Sequence, residues 1–184
     1  MKIPYFFGYG SLVNGQTHAY PGMKPAKVEG WRRLWQPSPE RPVAFLSVVP
    51  APDHWTWGVI AQVPGSDWVA LDKRESEYRR RPLVPHTILH DADPAEVHIY
   101  AIDDPVAPNP EQPILLSYLD VVIQGFLREH GAKGAEHFFE TTDGWNVPVL
   151  NDRDNPRYPR HQKLDKRETD IVDAGLRNLS AVVD

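Results

Sequence analysis

A chain of 184 residues with a net charge of −5 has the length of one domain and the wrong sign for a protein whose main partner is nucleic acid. It contains no cysteine, which removes disulfides, thiolate metal sites and a cysteine nucleophile together. Its 19 prolines predict many turns and few long helices, while the stretch Met1–Pro4 carries no apolar signal region and no apolar run reaches membrane length. The expectation is one cytoplasmic domain over residues 1–184, with no membrane partner.

The first element is the run Tyr5-Phe6-Phe7-Gly8-Tyr9. Four aromatic residues in five positions suit a buried strand, and Gly10-Ser11 then breaks the run, with a turn signal at Asn14-Gly15. A strand that ends in a glycine loop brings main-chain N–H groups to a surface where they can hold a carboxylate or an oxyanion. This is the expected ligand loop. It is not a dinucleotide fingerprint, since Val13 stands where a third small residue is needed, and no Gly-Lys-Ser/Thr phosphate loop is present.

Further strands are predicted at Ala26–Trp35, at Val43–Val49 between Pro42 and Pro50, and at Trp55–Val63. Ser66-Asp67 signals the start of a helix running to about Tyr78. Strands at Leu83–Leu89 and Glu96–Ile102 follow, then a proline-rich loop over Asp103–Pro113. A long helix is expected from Ile114 to about His130, where Leu115, Tyr118, Leu119, Val122, Phe126 and Leu127 keep helical spacing and Gly131 is the stop. A short helix at Ala135–Thr141, an irregular stretch over Trp145–Gln162, and a last helix opened by the capping box at Asp165–Glu168 complete the chain. The pattern is that of an α+β fold, a small mixed β-barrel or strongly curved sheet with packed helices.

Within the first helix, Trp68, Leu71, Glu75 and Tyr78 recur at i, i+3, i+7 and i+10, which places Glu75 on an apolar stripe, with Lys73 and Glu77 facing elsewhere. A carboxylate there is costly unless it is paired or used, and desolvation would raise its pKa towards the range of a general acid/base. Pairing with Arg79 at i+4 is the other reading, and the spacing leaves both open.

The order of these pieces resembles the γ-glutamylcyclotransferase superfamily. Tyr9-Gly10-Ser11-Leu12 follows an aromatic strand, Gly30-Trp31-Arg32-Arg33 and Trp57-Gly58-Val59 come next, and Leu71-Asp72-Lys73-Arg74-Glu75 looks like the helix with the family's catalytic glutamate. The likeness runs from Tyr5 to Tyr78, and Tyr118 and Gly125 are compatible with it. The Gly-Trp-Arg-Arg element and the Arg-Glu pair are similar to the ChaC-type, glutathione-directed branch. The resemblance implies an intramolecular acyl transfer that turns a γ-glutamyl peptide or amine into 5-oxoproline, with release of the amine and with no metal or cofactor. It implies Glu75 as general acid/base, the backbone of Tyr9, Gly10, Ser11 and Leu12 as the substrate loop, and Tyr78 and Tyr118 as pocket walls. Glutathione leads the substrate classes. The rival is a non-catalytic protein that binds a small acid or docks a partner through the same pocket. One departure is that the glutamate is followed by Ser76-Glu77 where many relatives have Gly, which is compatible with a changed pocket or altered activity.

Other constellations carry less. His86 and His90 share a strand face but are too far apart to chelate one ion, with His98 in the next strand, and Asp152-Arg153-Asp154 lacks the Gly and Glu of a calcium loop. Arg79-Arg80-Arg81 reads as a solvated turn or a clamp for an acidic small molecule. Asn151–Arg160 reads as a solvated loop or, less simply, as a flap in which Arg153, Arg157 or Tyr158 meets an acidic ligand. Asn178-Leu179-Ser180 fits a glycosylation sequon with no secretory context.

Overall fold

The computed structural model of the protein describes residues 2–38, 40–179, 181 and 183, so Met1 and Ser180 of the sequon lie outside it. Strand β1 (Tyr5–Gly8) lies inside a seven-stranded sheet. A hairpin of two long strands, β2 (Lys24–Pro37) and β3 (Ala44–Gln62), pairs with it through β3, antiparallel. On its other side β1 runs parallel to β6 (Val97–Ala101), and β6 pairs with β4 (Arg79–Pro82). The short strands β5 (Ile88–Leu89) and β8 (Thr142–Asp143) pair with β2, and β7 (Ile114–Leu115) pairs with β9 (Val149–Leu150). The sheet curls into a half-barrel carrying four helices among the described residues, which is the α+β architecture expected.

The aromatic run of β1 is buried on both faces because side chains alternate along a strand. Phe7 belongs to the larger core, with α2 (Leu116–His130), α3 (Ala132–Thr141) and α4 (Lys166–Asn178). Phe6 belongs to a smaller core on the opposite face, with Trp68 and Leu71 at the short helix α1 (Val69–Arg74). Gly131, at φ 67°, ends α2, and the Asp165–Glu168 capping box opens α4. No helix among the described residues is long and apolar enough to cross a membrane.

Four expectations are corrected. The strands expected at Val43–Val49 and Trp55–Val63 are one strand that continues through Pro50 and Pro52. Pro50 is in register with Trp31 of β2, Pro52 falls in the irregularity between that pair and Glu29–Trp55, and β1 joins only from Val59, so the missing N–H groups cost no ladder bond on the β1 side. Helix α1 ends at Arg74 rather than near Tyr78, because the chain must be extended from Arg79 to pair with β6. The strand expected at Leu83–Leu89 is displaced to Arg79–Pro82, and Pro85–Thr87 forms a 3-10 turn before the two-residue β5. The three arginines of β4 are neither a turn nor a clamp for a small acid. Arg79 and Arg81 both reach Asp103, while Arg80 bonds to Asp72 at 3.0 Å and lies over the Trp68 ring.

Candidate active site

The loop after β1 is held by close approaches that only glycine permits. A Cβ on Gly58 would stand 2.1 Å from the Gly8 carbonyl oxygen, so β3 can lie against the end of β1 only without a side chain there. A Cβ on Gly10 would meet the Tyr118 hydroxyl at 2.8 Å, and one on Gly125 would strike the main chain of Asn14 at 2.7 Å. The loop is therefore pressed onto α2. Asn14, which is buried, completes the attachment by donating to the Val121 carbonyl at 2.9 Å and to Gln124 Oε1 at 3.0 Å. Gly125, compatible with the family pattern in sequence, has its reason here.

From the opposite face, Arg74 ties the end of α1 to the same loop. It donates to the Thr17 carbonyl at 2.9 Å, to Thr17 Oγ1 at 3.0 Å and to Ser11 Oγ at 3.2 Å. Its Nε also lies 3.2 Å from Glu75 Oε1. Glu75 is the residue after the helix, its N–H bonded to the Leu71 carbonyl, and its own carbonyl accepts from the N–H of Tyr78. The carboxylate thus arrives at the cleft from a capping position rather than from a helical stripe. Its side chain is 15 % exposed. Burial pushes its pKa above the ordinary carboxylate value, and the charges of Arg74 and Arg160 offset only part of that. The alternative partner Arg79 is engaged with Asp103.

Tyr9, Gly10, Ser11, Leu12, Glu75, Tyr78 and Tyr118, the residues singled out in the sequence, line one recess together. Its enclosed volume of about 30 Å³ has room for a small group such as a carbonyl or carboxylate. The phenols are fixed. Tyr9 donates to the Tyr100 carbonyl at 2.7 Å and Tyr78 to the Leu46 carbonyl at 2.6 Å, while the Tyr118 hydroxyl meets the main chain of Ser11. Burial raises all three pKa values, so the rings are neutral walls at physiological pH. Tyr118 packs edge-on against Trp35 and Tyr158, and Tyr78 against Phe45.

The recess opens into an outer cleft of about 110 Å³ that shares Ser11, Glu75, Tyr78 and Tyr118 and adds residues the sequence did not single out. Glu77 was expected to face elsewhere, but because the helix stops at Arg74 the turn swings it into this cleft. There Ser38 donates to it at 2.8 Å and Arg41 pairs with it. Arg160 and Tyr158 line the cleft from the segment 151–160, whereas Arg153 is turned away and bonded to Asp120 and Asp173. Ser38 and Arg41 carry no local signal, since a turn between two strands places them.

The sequence model of a family described as gamma-glutamyl cyclotransferase, AIG2-like, matches residues 6–118. No curated protein matches the chain. Among solved structures, one titled gamma-glutamyl cyclotransferase superposes with a TM-score of 0.55 at 13 % identity, over 92 % of this chain and 98 % of that one. An uncharacterized Homo sapiens protein gives 0.56 at 14 % identity, over 92 % and 97 %. A Bacillus subtilis protein gives 0.55 at 17 % identity, over 78 % of this chain and 57 % of its own. At these identities the likeness is one of fold. The family rests on the sequence match, which spans more than half the residues and includes the loop, the hairpin and Glu75: the chain belongs to the gamma-glutamyl cyclotransferase, AIG2-like family.

Proposed function

We propose that the protein cyclises a γ-glutamyl peptide or amine to 5-oxoproline, with Glu75 as general acid/base. The observation that carries this reading is a largely buried carboxylate of raised pKa, opening into the recess lined by the Tyr9–Leu12 loop. The γ-carbonyl of the substrate enters the recess, against the Tyr9–Leu12 loop. Glu75 takes a proton from the substrate's α-amine, and the amine nitrogen attacks the γ-carbonyl carbon. The oxyanion that forms is stabilised by the loop. Protonated Glu75 then gives its proton to the leaving nitrogen, the C–N bond breaks, and the five-membered lactam and a free amine result. Atoms balance without water or an enzyme nucleophile. The fixed walls of Tyr78 and Tyr118 favour the folded conformer that ring closure requires, which is a large part of the rate gain in such reactions.

Glutathione is the leading substrate, followed by other γ-glutamyl amines. The test is 5-oxoproline formation from glutathione and a panel of γ-glutamyl dipeptides and amines, by the native protein and by Glu75→Gln. Turnover lost in the variant supports the reading. Turnover that survives moves the base, with Glu77 next in line, and a folded protein that turns over none of the panel leaves a binding protein.

A further inference from the structure

The segment 151–160 lies beyond the residues the family model matches, yet it forms one wall of the cleft. It is clamped there. Asp152, which is buried, accepts hydrogen bonds from the N–H of Ser117 at 2.8 Å, the Ser117 hydroxyl at 2.6 Å and the N–H of Arg157 at 2.8 Å. The Tyr158 N–H bonds to the Ser117 hydroxyl at 3.2 Å, and its ring packs edge-on against Tyr118. Arg153 is held to Asp120 of α2 and Asp173 of α4. The strap thus presents Tyr158 to the cleft as a fixed part of its wall and places Arg160, an exposed residue, at its rim.

The charges of the cleft are unevenly matched. In the inner recess Glu75 is the one charged side chain among the described residues. In the outer cleft Arg74 faces Glu75 and Arg41 faces Glu77. Arg160 has no carboxylate at ion-pairing distance among the described residues, although its charge acts on Glu75 from further away. If the γ-carbonyl occupies the recess, the departing amine must occupy the outer cleft, beside that unmatched cation. Resting on the cyclotransferase reading, we propose that the strap forms the leaving-group subsite and that Arg160 selects substrates whose departing part is an amino acid or peptide with a free carboxylate. Simple amines, and peptides whose carboxyl is blocked, are the poor substrates. The acid is recognised by a charge-assisted hydrogen bond.

The experiment compares γ-glutamyl dipeptides with their C-terminal amides in the native protein and in Arg160→Met. It is read as the ratio of kcat/KM between acid and amide, with thermal melts to confirm folding. Calorimetric binding of the same pairs to Glu75→Gln, with and without Arg160→Met, supplies a readout independent of turnover. The expected result is a preference of about 10- to 100-fold for the acid, collapsing towards unity when Arg160 is replaced. Equal handling of acid and amide by the native protein overturns the proposal, as does a preference that survives Arg160→Met. An equal loss on both compounds assigns Arg160 to the glutamyl carboxylate or to the ionisation of Glu75 instead and also overturns it. In each of these cases continued 5-oxoproline formation leaves the cyclotransferase reading standing. Binding that prefers the acid, with no 5-oxoproline formed, keeps the subsite and removes the reaction. Absence of both turnover and binding removes the two together.

Discussion

Glu75 costs the fold stability, and the proposed role as general acid/base would use the same raised pKa. Its folded pKa is raised, so ionisation is harder in the native state than in the unfolded chain, whose value is near 4.5. The penalty is absent below that pH and is fully present once the pH exceeds the folded pKa. Glu75→Gln is therefore expected to raise the Tm at neutral pH, with the gain closing as the pH falls through about 4.5, while 5-oxoproline formation drops by roughly 10²- to 10⁴-fold. Melts across pH beside an activity assay check both limbs. Arg74 has the opposite effect on the same carboxylate, since its charge favours ionisation. Arg74→Met should shift the acid limb of kcat/KM to higher pH, because the base is then ionised over a narrower range. An acid limb that stays in place would assign the titration to another group.

At the scale of elements, the cleft depends on how α1 ends and on how the strap is pinned to α2. Asp152→Ala leaves the N–H groups of Ser117 and Arg157 without their acceptor. The buried Ser117 N–H, left without an acceptor, costs about 1–3 kcal/mol, so at about 2–4 °C per kcal/mol the expected Tm falls by about 2–12 °C. KM should rise more than kcat falls, since in the proposed mechanism the strap binds the leaving group and the loop holds the reacting carbonyl. A KM that does not move would separate the strap from the substrate. This scale also marks what could be read in advance. The glycine loop and the apolar spacing through residue 75 were legible because strand alternation, loop chemistry and helical spacing are local signals, whereas the roles given to Glu75, Tyr78 and Tyr118 came from the family resemblance. The stripe through Glu75 led to a residue that lines the recess, though not from a helix, because turn residues at 75 and 78 continue a helical spacing after the helix has stopped. Glu77, Arg41 and Arg160 were missed because a turn, a hairpin end and a distant strap bring them together, and no window of sequence contains all three. The continuous β3 was divided at Pro50 because a missing β1 neighbour at that point is a fact of topology.

At the scale of the molecule, the half-barrel needs its hairpin tied to the helices that fill it, and Arg33 is that tie. It is fully buried on β2, with no carboxylate in contact among the described residues. Its guanidinium donates to Thr142 Oγ1 at 3.0 Å, to the Trp57 carbonyl at 2.9 Å and to Thr141 Oγ1 at 2.8 Å, and it lies between the rings of Phe126 and Phe138. Strand β2, strand β3, the end of α3 and the face of α2 thus meet at one side chain. Burial lowers its pKa to about 9, still above physiological pH, so it remains charged, and three oxygens and two ring faces replace the water it lost. The Gly-Trp-Arg-Arg element, read as part of the resemblance, has a structural cause at this position, since Arg33 lines neither the recess nor the outer cleft. Arg33→Ala removes the tie, empties a large volume and leaves three acceptors without their donor, a loss of about 3–5 kcal/mol. At about 2–4 °C per kcal/mol the Tm should fall by roughly 6–20 °C. Arg33→Lys should recover part of this, because an ammonium can reach one or two of the oxygens but cannot span three in one plane. Activity per folded molecule, measured well below the lowered Tm, should stay within a few-fold of native for both variants. A variant that keeps its Tm but loses turnover would move Arg33 from the frame of the protein into its chemistry.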